Sequence, residues 1–277
     1  MASVVLGSPF STEPLVEVPL ANPPLAQVLA QVRFAKVSQL WVGDAAARQV
    51  VASMTHEYPI FDQKQETGFH IGPDGIQPVP ANAQIWQLQS QDRQWMITFG
   101  DSFFALTAWT YTSRTEFASR LQTAWQHFCN VIESVRHERV GVRYINRIAE
   151  PDVDGLAKLV RPEMLGELAT PLGAGVRRQH SISEATYAVD EREGLHVRWG
   201  LLPAGAAFDP TVPTVDSPSW VLDMDAYLAY PDNAPVLRPD DLAQTVKDLA
   251  ERAYRYFRWS VTDDYLTAFG ESINVHY

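Results

Sequence analysis

Residues 113–135 read SRTEFASRLQTAWQHFCNVIESV, and this stretch decides the fold class. Ser113 and Glu116 have the spacing of a capping box, in which two side chains satisfy backbone donors that the first helical turn leaves unmet. Phe117, Leu121, Trp125, Phe128, Ile132 and Val135 then recur at three- and four-residue intervals, which lines them along one side of a helix. A helix with one apolar side needs a surface to cover, and the flanking sequence offers strands. Upstream, 85–89 (IWQLQ), 94–99 (QWMITF) and 103–112 (FFALTAWTYT) read as successive antiparallel strands, with Gly100-Asp101 as a turn between the last two. Downstream, 139–148 (RVGVRYINRI) reads as a strand.

Working outward, 25–34 (LAQVLAQVRF) reads as a strand behind the stiff Pro23-Pro24 pair. Asp44 is placed to cap a helix whose apolar positions are Ala47, Val50, Val51, Met54 and Tyr58, and Pro59 stops it. Residues 62–84 are rich in Gly, Pro, Gln and Asn and read as a long loop. Beyond 149, residues 150–178 carry Pro and Gly punctuation with short helical turns around Leu156 and Met164. Strands follow at 181–189, 195–202 and 220–230, with a Pro/Asp-rich loop at 203–218. A long helix at 240–260 puts Leu242, Val246, Leu249, Ala253 and Phe257 on one face, and the pairs Asp248–Arg252 and Glu251–Arg255 on the solvent side.

Each half thus runs a strand meander into an amphipathic helix, EFASRLQTAWQHF in one and DLAQTVKDLAERAYRYF in the other. The expected architecture is α+β: two related antiparallel sheet-plus-helix units, each sheet covered on one face by a long helix. The expected division is an extended arm at 1–21, a first unit at 22–149, a linker at 150–178 and a second unit at 179–277.

The 277-residue chain is 46% apolar and 20% charged, an ordinary globular composition able to bury a core. No apolar run approaches the roughly 20 residues that a bilayer requires, and the N-terminus lacks the basic residue of a signal peptide. With Cys129 the only cysteine, no internal disulfide forms. The cytoplasm is the expected compartment. Of the net charge of −11, residues 1–150 carry −2 and residues 151–277 carry −9. Nucleic-acid binding draws its affinity from basic groups that neutralise phosphates, so this balance argues against it.

Four segments together resemble a sporadically distributed bacterial family of uncharacterised proteins of similar length. They are Asn22-Pro23-Pro24-Leu25 running on to Val32-Arg33-Phe34, the strand-to-helix junction 109–117 (WTYTSRTEF), the central 139–148 (RVGVRYINRI), and 257–263 (FRWSVTD) after the last helix. Gln27 stands where that family favours an acid, and Tyr254 where it favours a histidine. The resemblance implies a bacterial protein carried with mobile or defence-related genes, and it brings no activity with it.

Linear signatures of chemistry are absent. The seven histidines lack ligand spacing, and one cysteine cannot build a Cys/His zinc site, so neither a metal nor a cofactor is expected. Gly173-Ala-Gly175 lacks the third glycine of a dinucleotide loop and reads as a turn. Cys129 lies among aromatics in mid-helix, where a thiol is core rather than nucleophile. The polar pattern that stands out is on strands. In 220–228 the two-residue period puts Asp223, Asp225 and Tyr227 on one face, with Trp220, Leu222, Met224 and Ala226 on the other. Arg143 and Arg147 share a face with Gly141 and Ile145, and His196 and Arg198 oppose Leu195, Val197 and Trp199.

Arg143, Arg147, Arg198, Asp223 and Asp225 are therefore the candidate binding residues, and no residue is assigned a catalytic role. The competing structural expectation is a set of solvated or mutually paired charges on the outer face of a half-covered sheet. Trp109, Tyr111 and the Tyr254, Tyr256, Trp259 group form a possible aromatic platform. The leading expectation is a non-enzymatic binding or protein-interaction protein, its partner another protein or a second copy of itself. The alternatives are an enzyme with a nonstandard cross-strand site, hydrolytic or metal-assisted, and an RNA-binding or RNA-processing protein. Any small-molecule ligand is unspecified by the sequence.

Overall fold

The computed structural model describes residues 7–72, 75–133, 135–149, 155–208 and 212–270. Residues 1–6 of the expected arm, 150–154 of the expected linker, 209–211 of the Pro/Asp-rich loop, and His276 lie outside them. The strands are β1 (Leu25–Phe34), β2 (Ile60–Gly72), β3 (Gly75–Gln89), β4 (Trp95–Phe99), β5 (Phe103–Ala108), β6 (His137–Ala149), β7 (Ser181–Ala188), β8 (Glu193–Leu202) and β9 (Ser219–Ala229). They form one large antiparallel sheet in the order β2-β3-β4-β5-β1-β6-β9-β8-β7. The helices are α1 (Ser38–Trp41), α2 (Ala45–Met54), α3 (Arg114–Cys129), α4 (Leu156–Leu159), α5 (Pro239–Ser260) and α6 (Asp263–Ala268), with two short 3₁₀ turns at Pro162–Met164 and Gly166–Ala169. Among the described residues no helix is long and apolar enough to cross a membrane.

Two expectations need correction. The strands join one sheet rather than two, because each meander leaves an edge with unmet backbone groups and a neighbouring strand satisfies them. The stretch 62–84 is not a loop but most of the β2–β3 hairpin, paired from Ile60 opposite Gln89 to Gly72 opposite Gly75, with an irregularity between Gln65 and Thr67. Its prolines are tolerated because of where they fall. The pairing of β3 with β4 covers Trp86–Gln89, so Pro78 and Pro80 lie outside that register and need no donor toward β4.

The chain divides into two compact units that interleave in sequence. One comprises Met1–Gln27, Arg143–Ala226 and Leu249–Tyr277; the other comprises Val28–Val142 and Tyr227–Asp248. The boundaries fall inside β1, β6, β9 and α5.

In the second of these units the core is the aromatic stripe of α3. Phe117, Leu121, Trp125 and Phe128 are buried. Trp125 stacks on Phe128 at 5.2 Å and meets Phe104 edge-on at 5.4 Å, while Phe34 lies 5.7 Å and Phe99 5.8 Å from Phe128. Burying an indole leaves its N–H in need of an acceptor, and Trp125 Nε1 donates to the Leu237 carbonyl at 3.1 Å. Ser113 caps α3 as its sequence predicts, its hydroxyl accepting from the Glu116 backbone N–H at 3.1 Å. The Glu116 carboxylate does not reach back, because it accepts from the Thr112 hydroxyl and from Arg120 instead, and these bonds hold it below the usual carboxylate range. At the start of α2, Asp44 makes no capping bond and faces Arg48 at 3.5 Å.

In the other unit the arm is held by hydrogen bonds and ring packing. Val18 N–H donates to the Tyr254 hydroxyl at 2.7 Å, Arg255 Nη1 donates to the Ser11 and Glu13 carbonyls, and Phe10 packs edge-on against Tyr187 at 5.0 Å. Tyr254, in place of the expected histidine, is thus a hydrogen-bond anchor for the arm. Of the two ion pairs expected along α5, Glu251–Arg255 forms at 3.0 Å. Arg252 turns to Glu193 instead, and Asp248, which belongs with Val28–Val142, accepts from Gln244 at 2.8 Å. Residues 155–170 also belong here, tied through an antiparallel bridge of Val160 with Val261 and bonds from Arg161 N–H to Ser260 and from Thr262 N–H to Leu159.

Two outcomes follow from this packing. Ser113→Ala removes the α3 cap and is expected to cost about 0.5–2 kcal/mol, read as a lowered urea midpoint, with Ser113→Asp restoring most of it. His137 is buried beside the Tyr230 ring at 4.2 Å, and burial lowers its pKa. The folded state therefore binds fewer protons than the unfolded chain once the pH falls below the unfolded value of about 6.5, so stability is lost from there downward and none is lost above it. Unfolding midpoints between pH 8 and pH 5 should fall in the native chain and flatten in His137→Phe.

Candidate functional site

The polar face expected from strand periodicity is assembled by β6, β9 and β8, neighbours in the sheet order. Asp223 sits at its centre with 2% of its surface exposed. A carboxylate stripped of water to that degree is unstable unless strong donors replace the water. Arg143 supplies one set, with Nε 2.7 Å from Oδ1 and Nη2 2.8 Å from Oδ2, the two-pronged geometry that suits a planar carboxylate. Arg198 supplies the other, with Nε at 3.2 Å and Nη2 at 2.7 Å from Oδ2. Arg198 also lies over the Phe208 ring at 5.0 Å, so the aromatic face shares its charge.

The structure brings together three of the five candidate residues in one contact set and distributes the other two. Asp225 lies two residues along β9, half-buried and engaged in interactions of its own. Arg147, four residues beyond Arg143, does not join Asp223. Its backbone N–H donates to the Pro24 carbonyl at 2.7 Å and its Nη1 donates to the Pro213 carbonyl. Its Nε and Nη2 are shielded from solvent and meet no acceptor among the described residues. Burial lowers the pKa of this guanidinium. Of the expected solvated or mutually paired charges, Asp223 is of the paired kind and is not solvated. Residues from the 203–218 loop cover the face, and Ile145, Leu202, Val212 and Val221 form an apolar cluster with Ala206, Ala207 and Phe208 packed against it.

Toward β7 the polar row continues. His196 on β8 lies 3.1 Å from Glu184 through Nε2 and 3.2 Å from the Thr186 hydroxyl through Nδ1. Thr186 pairs directly with His196 and Glu184 with Arg198 in the β7–β8 register. Glu184 and Thr186 were not among the candidates, although β7 alternates (SISEATYA) and their shared parity marks one face.

Other groups resolve as structure. Burial pushes the Cys129 thiol up to about 12, which keeps it protonated and unreactive at neutral pH. Tyr256 is core, not platform: it is 1% exposed, and burial raises its hydroxyl pKa. Trp259 is half-buried between Tyr256 at 5.5 Å and the Arg161 guanidinium at 5.4 Å. Gly175 takes φ +81°, and Val176 N–H donates to Gly173 at 3.1 Å, which makes this segment a turn. Among the described residues no three His, Cys, Asp or Glu side chains group as metal ligands would. Chemically, both oxygens of Asp223 accept from guanidinium donors, which favours its charged form.

No family model matches the chain, and no curated protein matches it in sequence.

Replacing Asp223 by the isosteric asparagine keeps the shape and removes the charge between two arginines. Asp223→Asn is expected to lower stability by about 3 kcal/mol in urea unfolding, the lower end for breaking a buried pair. Arg198 keeps 26% of its side chain in solvent and is partly rehydrated, which is why the upper end is not reached. An unchanged midpoint would show that the three charges contribute nothing net.

Proposed function

We propose that this chain is a non-enzymatic binding protein that acts by self-association, with β7 as its contact strand. The observation that carries the reading is the character of that strand. β7 ends the sheet order, pairs with β8 on one side, and makes no other backbone hydrogen bond among the described residues from Ser181 to Ala188. It contains no proline, lysine or arginine, the residues that commonly blunt a sheet edge against addition of another strand. Ile182 is 51% exposed on it, and Leu172, Val176 and Val189 are exposed in the adjoining sequence.

A second copy is the occupant that the sequence of β7 suits. Antiparallel addition about a two-fold axis at Ala185 sets Glu184 of each strand opposite Thr186 of the other, and Ile182 opposite Ala188. A register centred on Glu184 would oppose two carboxylates and is disfavoured by charge. The occupied state of Asp223 supports the non-enzymatic part of the reading, since the one carboxylate at the centre of the candidate face is committed to Arg143 and Arg198.

From the sequence resemblance we read the chain as bacterial and carried with mobile or defence genes, and from its single cysteine and its lack of a long apolar run as working in the cytoplasm. We also infer that the halves 22–149 and 179–277 are related. The support is that each runs antiparallel strands into one long helix, α3 in the first and α5 in the second.

Light scattering on the purified full chain tests self-association. The expected mass is twice the 31.0 kDa of one chain at micromolar concentration, with Ile182→Lys returning it to one chain at an unchanged circular dichroism spectrum. A native chain that stays monomeric across that range would remove β7 self-pairing.

A further inference from the structure

We propose, resting on the self-association of β7, that the joint between two copies takes up protons as it forms. Pairing turns the Thr186 hydroxyl from His196 to Glu184 of the second copy, and His196 gains a proton in exchange.

The row that does this exists within one chain. Glu184 and Thr186 of β7 stand opposite Arg198 and His196 of β8, on one face of the sheet. His196 Nε2 lies 3.1 Å from Glu184 Oε1, and its Nδ1 lies 3.2 Å from the Thr186 hydroxyl. An ionised carboxylate only accepts, so Nε2 carries the hydrogen of the first contact. A neutral ring has one N–H, and with that one given to Glu184, Nδ1 accepts from Thr186. Glu184 and Thr186 are exposed at the rim of the sheet, and His196 keeps 30% of its side chain in solvent. A second strand and a proton both have access.

The two-fold register about Ala185 changes what Thr186 faces. Glu184 of the second copy then stands directly opposite it, with Cβ atoms about 4.5–5.5 Å apart. A hydroxyl has one hydrogen to give, and a charged acceptor is a stronger partner than a ring nitrogen. Thr186 therefore donates to the carboxylate of the second copy and turns a lone pair toward Nδ1. Nδ1 keeps its bond by donating, which is the form with both ring nitrogens protonated. Charge acts in the same direction. His196 comes to lie near two carboxylates, its own Glu184 and the one beyond Thr186, and nearby opposite charge favours the imidazolium. The axis repeats the exchange, so one dimer takes up as many as two protons.

The other groups around His196 are common to the single chain and the pair. Arg198 is two residues along β8, with its guanidinium turned to Asp223 at 2.7 Å. Phe208 of the 203–218 stretch lies over that guanidinium. On the adjacent β9, Asp225 is two residues from Asp223 and falls on the His196 side. Helix α5 packs on the opposite face, through Tyr256 against Tyr187 at 5.9 Å, and its Arg252 is paired with Glu193. What pairing adds is the second carboxylate. The same register also sets His180 opposite Asp190 of the second copy, which makes His180 the control.

The test measures the dimer Kd of the full chain by sedimentation equilibrium at pH 6, 7 and 8 and constant ionic strength. The protonated form is the one that pairs, so association is strongest at the acid end and weakens as the pH rises. A gain of about fivefold in proton affinity at each of the two histidines raises Kd about tenfold across this range. In His196→Gln, which keeps a donor for Glu184 and does not titrate, Kd should stay within about twofold at an unchanged circular dichroism spectrum. His180→Gln should keep most of the rise. A native chain that is monomeric at every pH would overturn this joint and β7 pairing together. A dimer whose Kd does not rise with pH, a rise that survives in His196→Gln, or a rise lost in His180→Gln would overturn the proton linkage alone. Should His196→Gln fail to fold, Glu184→Gln decides, since it removes the carboxylates that favour the proton: a flat Kd supports the linkage and a surviving rise overturns it.

Discussion

A carboxylate at the centre of a covered sheet face cannot keep its charge unless its surroundings replace the water it has lost, and Asp223 is in that position. Arg143 and Arg198 replace it from the strands on either side of β9 in the sheet order. The requirement is mutual, since each half-buried guanidinium needs an acceptor as much as Asp223 needs donors. Registers of β6 and β8 that moved either arginine away by one residue would turn it to the other face and leave a buried charge alone. The polar cluster therefore selects one alignment of three strands, a constraint that apolar side chains impose less sharply because one aliphatic neighbour substitutes for another.

The same cluster limits the chemistry open to this face. The two arginines hold Asp223 as a buried, charged acceptor, with both of its oxygens engaged. Packing of Phe208 under Arg198, and of Val212 with Ile145 and Val221, further separates the cluster from water.

Much of the local structure was legible from residue pattern. The α3 stripe from Phe117 to Phe128, its Ser113 cap, the long α5 helix and the strands at 25–34, 139–148 and 220–230 all follow from periodicity and capping, which act over a few residues. The hairpin of β2 and β3 was not legible, because its Gln-, Gly- and Pro-rich composition is that of a loop and only pairing with a partner strand makes it extended. The capping box at Ser113 was half legible for a related reason: Thr112 and Arg120 compete for the Glu116 carboxylate, and a spacing rule does not see competitors.

The sequence by itself determined that Arg143, Arg147, Asp223 and Arg198 each face one side of their own strand, since side-chain alternation is a property of the strand alone. It determined the amphipathic helices and the acidic balance in the same way. Only the tertiary structure decided that β6, β9 and β8 stand side by side, because strand order depends on which distant edges meet. That order gives Asp223 two arginines and leaves Arg147, one helical-free step of four residues along the same strand, beside the Pro213 carbonyl instead. Two arginines of equal parity thus have different fates, and the difference lies in what other segments of the chain place opposite them.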